Sequence, residues 1–271
     1  MGTNRIEERT EAIESSEIGY MLDRMEAIRD RPGNPEGVEI ARFGEAVCFY
    51  SKTMPWPGFN TVKGLRSGDA DLLAAIGDFY RARGRKPQFE LVPGLADPEL
   101  MKRLSGLGFY QSGFHTSMAL TPSEAAPGPA KPSDKLDIRL LREDEFELYA
   151  TIHCRGTGLP DDGIAPVAAN NRVLYGRPGW TFYLALWEGR PAGVGVAYAS
   201  RGTASLTFAA TLPDYRCRGV QTALLRRRVA AAREEGCALV VGQCAFLSQS
   251  HRNMERIGMR IGYVRASWQQ R

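Results

Sequence analysis

The sequence predicts an α/β fold with two tandem domains, each a mostly antiparallel central sheet flanked by helices. Three observations carry that prediction. Runs rich in β-branched and aromatic residues alternate with helical periods along the 271 residues. Residues 121–134 read Thr-Pro-Ser-Glu-Ala-Ala-Pro-Gly-Pro-Ala-Lys-Pro-Ser-Asp, whose four prolines and missing apolar period describe a semi-extended connector near the midpoint. A faint repeat at an offset of 150 residues places Leu107-Gly108-Phe109 on Ile257-Gly258-Met259 (257 against 107), the helical run 70–83 on 220–233, and the strand-like run 88–92 on 238–242. The expected domains are residues 1–120 and 136–271, joined by 121–135, and the length suits two units of roughly 130 residues.

Composition excludes several classes. Hydrophobic and charged fractions of 43% and 24% are those of an ordinary globular protein. A net charge of +4 is small for this length and favours no nucleic-acid partner, while leaving room for a local basic site. The five cysteines are scattered, odd in number and free of C-x-x-C pairs, which argues against a disulfide framework or a structural zinc; no metal is expected, and a reducing cytoplasm is the natural home. Neither an apolar signal core nor an 18-residue apolar run is present, so no membrane partner is expected.

In the first half, residues 6–29 carry Ile13, Ile18, Met21, Leu22, Met25 and Ile28 at helical spacing, predicting a leading helix that packs on one domain or on a second copy of the chain as a homodimer. Strands are expected over 42–51, 57–65, 88–92 and 109–120, with helices over 70–83 and 98–104.

In the second half, a strand is expected at 136–141, a helix at 143–154, a Gly/Pro/Asp loop at 156–163 and a helix at 165–174. Residues 180–187 and 192–199, turning through Glu188-Gly189-Arg190-Pro191, read as a β-hairpin whose aromatics Trp180, Phe182, Tyr183 and Trp187 belong to core and sheet faces. A strand at 204–212 ends at Pro213, which cannot donate to a ladder. The helix over 220–235, with Gly236 as its C-cap, carries Arg226, Arg227 and Arg228 across most of a turn, as a solvated surface would. An apolar strand at 238–245, a helix capped by Ser248 or Ser250 and ending near Arg256, and a strand over 259–268 close the chain.

The segment Tyr215-Arg216-Cys217-Arg218-Gly219-Val220-Gln221-Thr222-Ala223-Leu224 joins a strand to a helix. Such a loop turns backbone N–H groups outward at the positive end of the helix dipole, with two arginines beside them: a seat for a diphosphate. No G-x-G-x-x-G and no G-x-x-x-x-G-K-[ST] stands on a strand-to-helix turn. Cys217 is expected to be a passive loop side chain.

This segment resembles the acyl-CoA pyrophosphate loop of the GNAT acetyltransferase superfamily: Arg or Gln, two residues, Gly, one residue, then Gly or Ala. Arg216 and Gly219 match, and Gln221 stands where a small residue is usual; a side chain pointing outward would leave its N–H usable. The element order over residues 136–271 is also similar to that family's. The resemblance implies an N-acetyltransferase that uses acetyl-CoA as co-substrate and a small-molecule or peptide amine as acceptor. It places the cofactor on Arg216, Cys217, Arg218, Gly219, Val220, Gln221 and Thr222, and on the preceding strand's Ala209, Ala210 and Thr211, whose backbone groups meet the pantetheine arm and the thioester oxygen.

In the last helix, Asn253-Met254-Glu255-Arg256-Ile257-Gly258 resembles a variant of the family's final helix. Met254 holds the position where many members have a tyrosine acid, so either Ser248, Ser250, His251 or water serves instead, or no acid is needed. The resemblance offers Asn253 for the pantetheine amide or the helix cap. Ser250 and His153 are the catalytic candidates, His153 because its unperturbed pKa suits a general base; Asp161 and Asp162 offer attraction to a cationic acceptor. At the repeat offset Gly219 meets Asp69 and Gln221 meets Asp71, carboxylates that repel phosphate, so the first half resembles the degenerate copy of a tandem GNAT protein. Its Trp56, Phe59 and Asn60 then either meet substrate or simply pack. Two other classes stay open: an acyl-CoA-binding partner or sensor without chemistry, and a tRNA-dependent transferase whose affinity would fall steeply with salt.

Overall fold

A computed structural model of the chain describes residues 2–128 and 133–270, so residues 129–132 of the expected connector lie outside the described residues. The chain divides into two units, residues 1–117 with 261–271, and residues 118–260. The elements in order are α1 (Gly2–Arg29), β1 (Val38–Phe43), β2 (Ala46–Ser51), β3 (Thr61–Lys63), α2 (Leu73–Arg81), β4 (Gln88–Leu91), α3 (Pro98–Gly106) and β5 (Phe109–Leu120). There follow β6 (Leu136–Leu140), α4 (Phe146–Thr157), α5 (Ile164–Arg172), β7 (Trp180–Trp187), β8 (Arg190–Ser200), β9 (Thr203–Thr211), α6 (Val220–Glu234), β10 (Leu239–Cys244), α7 (Gln249–Arg256) and β11 (Arg260–Gln270).

The first unit orders its strands β1-β2-β3-β4-β11-β5, antiparallel except for the parallel pair β3–β4 among the registers described. The single strand expected over 42–51 is a hairpin, because Gly44 takes a left-handed φ of +59° and reverses the chain between Phe43 and Ala46. The stretch 57–65 opens as a 3-10 turn, Pro57–Phe59, before β3 begins. The final strand departs from the domain boundary expected from sequence: β11 pairs antiparallel with β4, from Ala266–Leu91 to Trp268–Phe89. Ala266 and Trp268 pack against the first unit's core of Cys48, Val62, Ile76, Tyr80, Phe89, Leu100 and Phe109, which is why the strand belongs there.

Beneath α1 the same unit buries an ionic network. Glu17 and Arg265 are 0% and 1% exposed and paired to each other. Lys63 joins Glu90 and lies 3.9 Å from Glu17. Ser117 donates its hydroxyl to Glu17 at 2.5 Å and accepts from Arg265 at 2.8 Å. Glu14 accepts from the Tyr263 hydroxyl at 2.7 Å. The helix expected from its apolar spacing is therefore held by charge as well as by Ile13, Met25 and Ile28.

In the second unit β6-β7-β8-β9-β10 are neighbours, antiparallel up to β9 and parallel between β9 and β10. The predicted hairpin forms, its turn residues Glu188 and Gly189 both at positive φ, as a tight turn between right-twisted strands requires. Leu206, Leu225, Val229, Val240, Met254 and Met259 form one core; Tyr183, Ala185, Val220 and Leu224 form another. Gly236 follows the C-cap of α6, Glu235, with a left-handed φ of +73°.

Glu145, just before α4, accepts two bonds from Arg139 at 2.7 and 2.6 Å and the Arg142 N–H at 2.9 Å. The Arg139 pairing holds its carboxyl down at about 2. A carboxyl lowered by folding stabilises above its ordinary value near 4.5, and that stabilisation disappears as pH falls toward 2. Glu145→Gln is therefore expected to be less stable than the parent at pH 7, with the difference closing between pH 4.5 and pH 2; denaturant titrations across that range check it.

Candidate acyl-transfer site

The site in the second unit begins with a strand that leaves its neighbour. Parallel pairing of β9 with β10 runs from Thr203–Leu239 to Leu206–Gly242, and β9 then continues to Thr211. On its other side β9 carries a bulge: Val194 pairs with Ala210 and Val196 with Thr207, so the single residue Gly195 faces both Phe208 and Ala209. Phe208 adopts φ +45°, a left-handed conformation that a bulky side chain rarely accepts. Its ring lies parallel to Trp180, centroids 6.2 Å apart. The result is that Ala209, Ala210 and Thr211 line an open cleft of roughly 740 Å³.

The loop after β9 forms the cleft's polar end. Cys217 (φ +60°) and Gly219 (φ +82°) are both left-handed and flank Arg218, an alternation that turns successive N–H groups to one side as an anion nest. The first helical bond of α6 runs from the Ala223 N–H to Gly219 O at 3.0 Å, so the N–H groups of Val220, Gln221 and Thr222 precede the helix's own ladder. Arg216 sits beside them and donates to Gly156 O at 3.0 Å. Gly156 lets the end of α4 lie close against β9, because a Cβ there would lie 2.8 Å from the Ala210 Cβ and 3.1 Å from Thr211 O.

Helix α7 supplies the facing wall through Gln249, Ser250, Asn253 and Arg256. Ser248 is its N-cap, accepting from the His251 N–H at 3.2 Å, which leaves Ser250 as the serine in the cleft. His251 is buried, with Nδ1 accepting from the Leu247 N–H at 2.9 Å, and it braces the loop rather than facing the cleft. Asn253 does not cap the helix: its Oδ1 accepts from Gln249 at 3.0 Å and from Arg256 at 2.7 Å. Met254, where the resemblance suggested a missing tyrosine, is buried in the core.

Of the predicted cofactor residues, Ala209, Ala210, Thr211, Arg216, Cys217, Gly219, Val220, Gln221, Thr222 and Asn253 converge on this cleft, as does the catalytic candidate Ser250. Arg218 does not line it, because its guanidinium lies over the Trp187 and Tyr215 rings at 5.4 and 5.7 Å. His153 is not in the lining either; its ring stacks on Tyr149 at 5.9 Å. Asp161 is occupied by Arg155 at 2.8 and 3.1 Å, so it offers little field to an acceptor. Gln221 lines the cleft, and its side chain is partly buried rather than pointing outward. Its Oε1 and the Thr211 Oγ1 are buried without a protein hydrogen bond.

Sequence reasoning missed Tyr215, Gly156, Gln249 and Arg256 in the lining. Arg256 had a readable signal, since Gln249, Asn253 and Arg256 follow the i, i+4, i+7 spacing of one helix face. Gly156 had none. Of the three arginines expected at a solvated surface, Arg227 stays partly exposed beside Glu234 and over the Tyr183 ring at 5.5 Å, while Arg226 bonds Ala126 O and Arg228 is fully buried.

In the first unit, the carboxylate that stands at the repeat offset from Gly219 bonds the backbone of its own turn. Asp69 is buried and accepts from the Arg66 N–H at 2.9 Å and the Glu45 N–H at 3.2 Å. Asn60 is likewise consumed locally, bonding Ser51 N, Met54 O and Trp56 O. Trp56 remains exposed, in edge contact with Phe59.

Residues 146–259 match the family model described as Acetyltransferase (GNAT) family. No curated protein matches the sequence. Among solved structures, a GCN5-related N-acetyltransferase from Kribbella flavida superposes with a TM-score of 0.66 at 14% identity, covering 91% of this chain and 95% of that one. A GCN5-related N-acetyltransferase from Sphaerobacter thermophilus gives 0.61 at 16% identity, covering 90% and 84%. A tandem GNAT protein from the clavulanic acid biosynthesis pathway gives 0.57 at 16% identity, covering 77% and 74%. These likenesses establish a fold shared with GNAT acetyltransferases.

Proposed function

Because residues 146–259 carry a domain of the acetyltransferase (GNAT) family, we propose that this protein is an acyl-CoA-dependent N-acyltransferase that moves acetyl from acetyl-CoA to an amine by direct attack in a ternary complex. One observation carries the reading: the anion nest at residues 216–222 and the free edge of β9 at residues 209–211 open into a single cleft. Acetyl-CoA, when bound, supplies a thioester whose acyl carbon is open to a neutral amine.

In this reading Arg216 and the N–H groups of Val220, Gln221 and Thr222 hold the diphosphate, with the α6 dipole adding to the attraction. Arg256 contributes a second cation from the opposite wall. The β9 edge offers backbone groups to the pantetheine arm, and an N–H there stabilises the developing oxyanion. Ser250 stands in the cleft with a hydroxyl able to pass a proton to the departing thiolate. Deprotonation of the amine goes through water, since His153 stands apart. The first unit acts as a degenerate copy whose own carboxylate, Asp69, replaces a phosphate. The acceptor is a small-molecule or peptide amine.

A second reading, a binding module without chemistry, draws support from the buried Met254. Release of free thiol from acetyl-CoA, measured with a panel of amines, separates the two. Amine-dependent turnover is expected; tight cofactor binding with no thiol release from any amine would favour the module.

A further inference from the structure

The buried face of α6 is apolar at Val220, Leu224, Leu225, Val229, Ala231 and Ala232, with one exception. Arg228 is 1% exposed and has no ion-pair partner among the described residues. Its Nε donates to Leu224 O at 3.1 Å, one turn back on its own helix. Its Nη1 donates to Val196 O at 3.0 Å and Thr207 O at 3.4 Å, while Nη2 makes no protein hydrogen bond. Val196 and Thr207 are the last regular β8–β9 pair before the bulge. The residue opposite the bulge is a glycine for a visible reason: a Cβ on Gly195 would lie 3.0 Å from the guanidinium carbon.

A lone buried cation is an expensive way to fill a core. Desolvation, only partly opposed by Tyr183, pulls Arg228 down to about 10, and a leucine or methionine would bury at far lower cost. What the guanidinium does that they cannot is donate to both strands at once, at the point where β9 gains its extra residue. We propose that Arg228 is a positioning residue for the acyl-transfer cleft: by bridging the carbonyls of Val196 and Thr207 across bare Gly195, it pins the β9 bulge and so sets where Ala209, Ala210 and Thr211 present their backbone groups. Its hydrogen bonds go to Leu224, Val196 and Thr207 and to none of residues 216–222, so its influence falls on the pantetheine and thioester end rather than on the diphosphate end.

The link between Arg228 and the bulge is independent of any ligand, whereas the link to acetyl-CoA rests on the acyl-CoA reading of the cleft. Arg228→Met removes the donors at similar length. Hydrogen exchange of the unliganded protein is expected to accelerate by about tenfold or more in peptides covering 207–211 while those covering β7 keep parental rates. Acetyl-CoA affinity is expected to fall by about tenfold, whereas ADP, which carries the diphosphate without the pantetheine arm, keeps its affinity within about twofold. Parental exchange at 207–211 would overturn the proposal, as would equal weakening of both ligands together with faster exchange throughout the unit, the mark of a merely stabilising residue. If the parent binds neither ligand, the acyl-CoA reading fails and the exchange result still decides the bulge. Should Arg228→Met not fold, Arg228→Lys is read the same way: one amine reaches one carbonyl well, so faster exchange at 207–211 supports the pin and parental rates sink it.

Discussion

Gly219→Val lowers acetyl-CoA affinity by more than about tenfold in calorimetry while the fold persists, the largest binding effect expected of a single substitution here. The cause is backbone, not crowding. Gly219 sits at φ +82° and ψ 0°, and a Cβ built there meets no heavy atom within 4 Å. A β-branched residue in that left-handed region is a strong outlier, so the loop relaxes toward negative φ at a cost of about 1–2 kcal/mol. Relaxation rotates the peptide between Arg218 and Gly219 and breaks the alternation that aims the nest's N–H groups. It also sets a branched side chain where a diphosphate must approach the backbone closely. Gly219→Ala should fall between the two, and the melting temperature of either variant should shift little because no core contact changes. Parental acetyl-CoA affinity in Gly219→Val would remove the loop from the cofactor site and the proposed activity with it.

The largest stability effect belongs to the first unit. Lys63→Met should destabilise that unit by about 3–5 kcal/mol, read from urea unfolding, because it removes one member of a buried ionic network and leaves its partners unpaid. Lys63 faces Glu90 and Glu17, and with Lys63 gone the two carboxylates share Arg265 alone. Burial opposes the lysine's charge, yet its carboxylate neighbours outweigh that and hold its pKa above the ordinary value. A group raised by folding stabilises below its unfolded value and loses that contribution as pH rises past it, so the parent should weaken on its alkaline limb above about pH 10.5 where the variant lacks that dependence. Adding Glu90→Gln to Lys63→Met should recover part of the loss, since the uncompensated charge is then removed. A destabilisation under about 1 kcal/mol for Lys63→Met would mean that water reaches the network and screens it.

Much of the cleft's lining was legible from sequence because its signals are local. A strand ending at proline, followed by arginine, glycine and a helix, specifies an N-terminus whose N–H groups face outward, and residues 216–222 other than Arg218 line the cleft in the folded chain. The strand residues 209–211 followed by adjacency. Reading failed where a side chain's fate depends on what folds against it. Arg226, Arg227 and Arg228 look alike in sequence, yet one bonds Ala126 O, one covers a tyrosine ring and one is buried at the bulge. His153 has suitable chemistry for a base and the wrong place, stacked on Tyr149. Asp69 stood out in the sequence as the carboxylate at the repeat offset from Gly219; its capture of two backbone N–H groups did not.

The sequence by itself determined the alternation of strands and helices and the glycine turn that opens α6, since each depends on residues within a few positions of one another. Only the tertiary structure decided that the last strand completes the first unit's sheet, that β9 bulges opposite Gly195, and that Gly156 lets α4 press against Ala210 and Thr211. Those features come from contacts between distant segments, where burial and the space left by a neighbour override local propensity.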